Sequence, residues 1–249
     1  MTKDYFANRV SVRAYENRDI PTNLIEEIIE KAMRAPTCGN MQLYSVIVTR
    51  EKEKKEKLAN LHFNQPAATG SNVILTICAD FNLFTRWCEL SNAVPGYDNF
   101  HSFIMAFTDA VIFAQQIVTV AESEGLGTCY LGTVNYTANE ISQLLELPEK
   151  VVPVASISLG YPNEVPSQPD RLPVKAILHE EKYRRDSDEE VKRFFEKKDS
   201  LPENHKFVIE NNKQTLAQVF TDIRYPKETN ETVSKSFKSL IESKGFHFL

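Results

Sequence analysis

Apolar residues follow two different periods along the chain. Residues 44–49 (YSVIVT), 73–79 (VILTICA) and 151–160 (VVPVASISLG) are short, β-branched runs bounded by turn-forming residues, the pattern of buried strands. The 73–79 run is almost continuously apolar and predicts a central strand. Pro153 predicts an edge or early-strand position for the third run, because proline cannot donate to a ladder. Residues 20–34 instead carry Leu24, Ile25, Ile28, Ile29, Ala32 and Met33 at helical spacing, between the start signal Pro21-Thr22-Asn23 and the stop Ala35-Pro36. Residues 51–57 (EKEKKEK) open a solvated helix, and Phe63-Asn64-Gln65-Pro66 breaks the pattern. A further helix begins at Asn139-Glu140 and stops at Leu147-Pro148. An amphipathic helix over 231–244 shows Val233, Phe237, Leu240 and Ile241 on one stripe, ends at Gly245, and leaves Phe246, Phe248 and Leu249 to be buried, with a partner subunit as one place for them.

The longest apolar segment, residues 103–121, contains Asp109, Gln115 and Gln116. Charge at bilayer depth is costly, so a buried helix of a soluble protein is the expectation rather than a membrane span. Gly125 follows as a natural helix stop. Three of the eight glycines fall within residues 125–132. The stretch is not a dinucleotide fingerprint: Tyr130 occupies the third glycine position, and the segment follows a helix where the fingerprint follows a strand.

Composition narrows the classes. The 249 residues are 42% hydrophobic and 25% charged, ordinary for a soluble chain of one large or two small domains, and the net charge of −5 gives no overall attraction for nucleic acid. The N-terminus has no apolar signal core. Cys38, Cys78, Cys88 and Cys129 show no CxxC spacing and read as free thiols of a cytoplasmic protein, and no His/Cys group has metal-ligand spacing. Residues 179–213 are charged and helical in pattern, which reads as a surface excursion. The chain therefore divides into a core, 1–178, and a charged excursion with the C-terminal helix, 179–249.

Few residues offer chemistry. Arg9, Ser11 and Arg13 share one face if extended, either a solvated polar face or a clamp for phosphate oxygens; on this segment alone the solvated face is the simpler reading. Residues 36–42 (PTCGNMQ) form a loop of small and amide residues, either a plain connection or a hydrogen-bonding rim for a heterocycle. The aromatic stretch 84–102, with Trp87, either covers a pocket or packs ordinarily. No phosphate loop and no GxSxG elbow is present. The chain offers no obvious acid, base or nucleophile, which leaves a bound cofactor to carry any chemistry.

Four separated segments together resemble the nitroreductase family of FMN-dependent oxidoreductases, and most closely its NADPH-dependent nitroreductase and flavin reductase branch. They are Arg9-Val10-Ser11-Val12-Arg13; residues 35–42 (APTCGNMQ); Cys78-Ala79-Asp80-Phe81-Asn82 with Gln65 upstream; and residues 125–132 (GLGTCYLG), followed by Leu159-Gly160-Tyr161-Pro162 and Arg171-Leu172-Pro173. The resemblance implies an α+β fold with a central mixed, mostly antiparallel sheet flanked by helices, and a homodimer with FMN at the subunit interface. The 103–121 helix would form the dimer core, and the C-terminal segment would wrap the partner.

Residue by residue, the resemblance implies FMN phosphate binding by Arg9, Ser11 and Arg171, with Arg13 at the phosphate or near the ring's N1/O2 edge. Gln65 matches an amide that bonds the flavin. Thr37, Cys38 and Gln42 match a loop reaching the flavin, often from the other subunit. The backbone of Tyr130, Leu131 and Gly132 would border the ring with an N–H near N5. Two departures stand out: Cys38 replaces a usual hydroxyl residue, and Pro169-Asp170 stand where a second cation often precedes the arginine. The implied activity is ping-pong hydride transfer from NAD(P)H through flavin N5 to nitroaromatics, quinones or free flavin, with no catalytic side chain required. A narrower, dehalogenase-like flavoenzyme and a non-catalytic flavin-binding dimer are the alternatives. Lys213 and Arg224 are cations that a 2′-phosphate would attract, though a solvated surface role is simpler.

Overall fold

The computed structural model describes residues 3–164 and 166–248, without the side chains of Lys3 and Asp4. Leu249 of the apolar tail, Val165 of the proline-rich segment and the first two residues of the N-terminus lie outside the described residues. The chain forms two compact units, residues 1–166 with 233–249, and residues 167–232. The second unit thus begins before the expected boundary at 179 and ends before the last turns of the C-terminal helix.

In chain order the first unit contains α1 (Lys3–Asn8), α2 (Thr22–Ala32), β1 (Tyr44–Thr49), α3 (Lys52–Leu61), α4 (Pro66–Thr69), β2 (Val73–Asp80), α5 (Asn82–Leu90), α6 (Phe100–Ser123), β3 (Gly127–Tyr130), α7 (Ala138–Leu144) and β4 (Val151–Gly160). The strands lie in the order β1, β2, β4, β3. All three pairings are antiparallel. The mixed character expected of the sheet is therefore absent from these strands; the parallel pairing found among the described residues is an isolated bridge between Asn99 and His247. β2 and β4 occupy the centre and are buried nearly throughout. Pro153 is accommodated there because β3 reaches only from Ile157 to Gly160 of β4, and because the β2–β4 register shifts beside it, at Ile77/Cys78. Locally, Pro153 sits at an edge.

α6 lies across this sheet and also packs on α2. Ala106, Ala110, Ala114 and Ala121 are fully buried with Phe113, Ile117 and Val118. Alanines let the helix approach closely, and the Phe113 ring stacks on Tyr44 at 4.1 Å. α6 is long and apolar enough to cross a membrane, yet it is the core helix of this sheet. Its ends are satisfied locally. The Asn99 side chain accepts from Ser102 N. At the other end Leu126 N donates to Ala121 O and Gly125 N to Glu122 O, with Gly125 at φ 82°, a Schellman turn.

Part of the apolar tail is buried on its own chain. Phe246 is fully buried, its ring 5.7 Å from that of Phe103, and Phe248 stacks on Phe100 at 4.6 Å. Phe100 N donates to His247 O, and His247 N to Asp98 O.

The second unit holds α8 (Asp188–Asp199), α9 (Pro202–Glu210), α10 (Leu216–Val219) and the start of α11 (Lys227–Ser243). Capping boxes at Ser187/Glu190 and Thr215/Gln218 start α8 and α10. Lys213 Nζ lies 2.8 Å from Asp222 Oδ2, and the Arg224 guanidinium lies over Phe207 and Phe220. Both cations thus have structural partners within the unit.

Candidate functional site

The 9–13 segment runs alongside β3. Val12 N donates to Thr128 O at 2.9 Å, and the approach is possible because residue 127 is glycine: a Cβ there would lie 2.7 Å from Val12 Cβ. Gly127→Ala is expected to cost about 2 kcal/mol through overpacking, lowering Tm by roughly 5 °C in thermal unfolding.

Arg9, Ser11 and Arg13 do come together. Arg9 Nη1 approaches Ser11 Oγ at 3.5 Å, and Arg13 Nη1 approaches Ser11 O at 3.4 Å. Sequence reasoning missed what holds Arg9. Glu122, near the end of α6, places Oε1 at 3.1 Å from Arg9 Nη2 and is only 9% exposed at its side chain. The same carboxylate accepts from Tyr5 Oη at 2.6 Å and from Thr128 Oγ1 at 2.5 Å. Burial, reinforced by Glu122, pushes the Tyr5 hydroxyl well above the usual phenol range. Burial likewise raises the Cys129 thiol, against the pull of Arg13 and Arg9, and pushes Tyr130 up to about 12. These three groups stay neutral at pH 7, so they do not cancel the two guanidiniums.

A second carboxylate on α6 fixes the 37–42 loop. Asp109, buried at 2% exposure, accepts from Thr37 Oγ1 at 2.5 Å, Cys38 N at 2.9 Å and Leu43 N at 3.3 Å. Gln42 N donates back to Thr37 Oγ1. Gly39, Asn40 and Gln42 all have φ between 55° and 59°, a left-handed run that is costly for the two non-glycine residues. The result is an exposed loop presenting Cys38 and Gln42.

The third group surrounds Thr133. Gln65 Nε2 donates to Thr133 Oγ1 at 3.4 Å, and His62 Nδ1 lies 2.9 Å from the same oxygen. Leu131 is buried and spends its N–H on Ser156 O at 2.8 Å, so it has no donor to offer a ligand. Gly132 is exposed, and a Cβ there would meet open space. Tyr130 is 37% exposed. Of the three predicted backbone positions, Gly132 is the one open to an approaching ring.

His62 is fully buried, and desolvation lowers its pKa to about 4 from 6.5. The unfolded chain therefore binds this proton more readily. Stability from the neutral imidazole is full above pH 6.5 and is lost as pH falls toward 4, by roughly 3 kcal/mol over the window. Urea unfolding at pH 7 and pH 4.5 is expected to show a smaller loss in His62→Phe than in the unsubstituted chain.

Arg171 belongs to the second unit, where it is exposed and its Nη1 donates to Asp170 O at 2.8 Å. A polar cavity of about 540 Å³, lined by residues including Tyr15, Arg50, Lys55 and Asn72, contains none of the predicted site residues. Two of its cations are already committed, Arg50 to Thr22 Oγ1 and Lys55 to Ser71 O.

The sequence matches the Nitroreductase family over residues 6–80 and 91–161. This chain belongs to that family of oxidoreductases. A Cr(VI) reductase of Pseudomonas sp. strain G-1 is 37% identical over 77% of this chain and 79% of its own length. The FMN reductase (NAD(P)H) of Bacillus subtilis strain 168 is 28% identical over 95% of this chain and 94% of its own. A crystal structure from Bacteroides fragilis NCTC 9343 superposes with a TM-score of 0.95 at 47% identity, covering 98% of this chain and 99% of that one.

Proposed function

We propose that this protein is an FMN-dependent oxidoreductase using NAD(P)H to reduce nitroaromatics, quinones or free flavin. The observation that carries this is the cluster of Arg9, Ser11 and Arg13 against β3, with the open backbone of Gly132 two residues beyond that strand. Two guanidiniums and a hydroxyl offer the forked, charge-assisted donors that a phosphate monoester needs. Bound FMN supplies a ring able to accept a hydride from NAD(P)H and pass the electrons to a flat acceptor. The chain's own residues bind and orient it: Arg9, Ser11 and Arg13 at the phosphate, and Gly132 N–H and the Gln65 amide at the ring. The names of the Cr(VI) reductase and FMN reductase relatives support the same chemistry. No side chain need act as acid or base, because positioning two rings in contact supplies the rate advantage.

The reading includes a homodimer and a cytoplasmic setting. Asp109 and Glu122 lie thirteen residues apart on α6, roughly 20 Å along the axis at about 1.5 Å per residue. The Thr37, Cys38 and Gln42 loop is therefore held far from the Arg9 clamp of its own chain, which favours its reaching a partner's flavin. Leu83, Trp87, Leu90 and Val94, each at least 60% exposed, supply apolar surface for such an interface. The four free cysteines suit a reducing compartment. The protein purified without added cofactor is expected to be yellow and to carry FMN by mass spectrometry, one per chain. A colourless preparation that takes up no FMN refutes the reading.

A further inference from the structure

The geometry points to His62 as a positioning residue that acts through Thr133 to fix the Gln65 amide at the flavin; this rests on the functional reading above. Gln65 Nε2 donates to Thr133 Oγ1, which leaves the threonine proton to be donated to His62 Nδ1, 2.9 Å away. The neutral imidazole then carries its own proton on Nε2. That polarity uses one Gln65 N–H inward and leaves the amide oxygen and the second N–H for the cleft.

Three observations support a role for this chain of bonds beyond packing. His62 is fully buried and its Nε2 has no partner among the described residues. A buried unpaired polar atom costs stability that a phenylalanine of similar shape would not, so the value of the imidazole lies in its other nitrogen. The low pKa, about 4, keeps that nitrogen an acceptor at neutral pH. Finally, the residues between His62 and Gln65 are strained. Phe63 and Asn64 sit at φ 55° and 50°, a conformation costly for a phenylalanine. Asn64 N closes onto Ala59 O and Gln65 N onto His62 O. The turn directs Gln65 toward Thr133 at the start of α4.

A double-mutant cycle on the full-length chain tests this, with FMN affinity read by quenching of flavin fluorescence. Thr133→Val keeps the side-chain shape and deletes the hydroxyl. It is expected to raise the FMN Kd about tenfold in the unsubstituted chain and less than about twofold in the Gln65→Ala background. Thr133→Ser, which keeps the hydroxyl, is expected to retain the original affinity. His62→Phe is expected to follow Thr133→Val in both backgrounds, and because Thr133→Val is nearly isosteric the cycle does not depend on His62→Phe folding. Equal losses with and without Gln65, or no loss from Thr133→Val, overturn the relay. An unsubstituted chain that binds no FMN overturns the functional reading first, and the relay with it.

Discussion

An Asp109→Ala protein is expected to melt roughly 10 °C below the unsubstituted chain. Asp109 is the buried acceptor for Thr37 Oγ1, Cys38 N and Leu43 N. Hydrogen bonds to a charged group contribute about 1.5–3 kcal/mol each, and stranding buried donors adds their desolvation cost. These terms overlap, since the three bonds share one carboxylate and the loop can move toward water. A net loss of about 3 kcal/mol is the expected size, read by calorimetry. Asp109→Asn keeps an acceptor oxygen but loses the charge, and is expected to fall between the two. The functional effect accompanies the thermal one. Asn40 and Gln42 are held left-handed by a loop that Asp109 organises; once released, the loop no longer presents Cys38 and Gln42 in a fixed position.

The second large effect is at Arg9. Arg9→Ala is expected to weaken FMN binding by about 100-fold, the loss of roughly two charge-assisted bonds to phosphate. It also leaves Glu122 without the cation 3.1 Å away, although Tyr5 and Thr128 still donate to it. Removing one member of such a pair exposes the desolvation cost of the other. Arg9→Ala should therefore also lose stability, whereas Arg13→Ala, whose guanidinium is exposed and reaches Ser11 O and the Cys129 thiol, should lose affinity with little change in Tm. Isothermal titration with FMN and thermal unfolding of both variants separate the two roles. Glu122→Gln is informative in the opposite sense. It removes the competing anion beside the clamp while retaining hydrogen-bonding atoms, and FMN affinity is expected to hold or rise as stability falls.

Much of the fold was legible because burial imposes a period. The strands 44–49 and 151–160 match β1 and β4 at both ends, since β-branched runs between turn residues have few other ways to be buried. β3 was not legible. Its four residues, Gly127-Thr128-Cys129-Tyr130, carry one β-branched side chain, and they form a strand because β4 and the 9–13 segment flank them. The tail's cover was not legible for a related reason: an apolar stripe signals burial but not against what, and Phe246 packs on Phe103 of the same chain.

At the candidate site, spacing placed Arg9, Ser11 and Arg13 on one face and the structure gathers them; their phosphate role came from the resemblance. Their counter-charge was not legible. Glu122 stands at the C-terminal end of the longest helix, where the helix dipole disfavours an acid. That misplacement was the available signal that a cation must face it. Asp109 was noticed only as an argument against a membrane span, although a carboxylate inside an apolar helix always needs partners. The pairing of Gln65 with Thr133 and His62 joins residues nearly seventy positions apart in sequence and has no local pattern to betray it. Arg171 lies in the other compact unit, and FMN titration of an Arg171→Ala variant tests the phosphate role that the resemblance implies for it.

The central claim is that FMN held by this clamp passes electrons from NAD(P)H. The most direct measurement is the visible flavin absorbance of the FMN-loaded protein under anaerobic conditions as NADPH or NADH is added. Loss of the band with about one equivalent of nucleotide, and its recovery on adding a quinone or nitroaromatic acceptor, is the expected result. A bound flavin whose band persists in excess of both nucleotides contradicts the claim and leaves a flavin-binding protein without this activity.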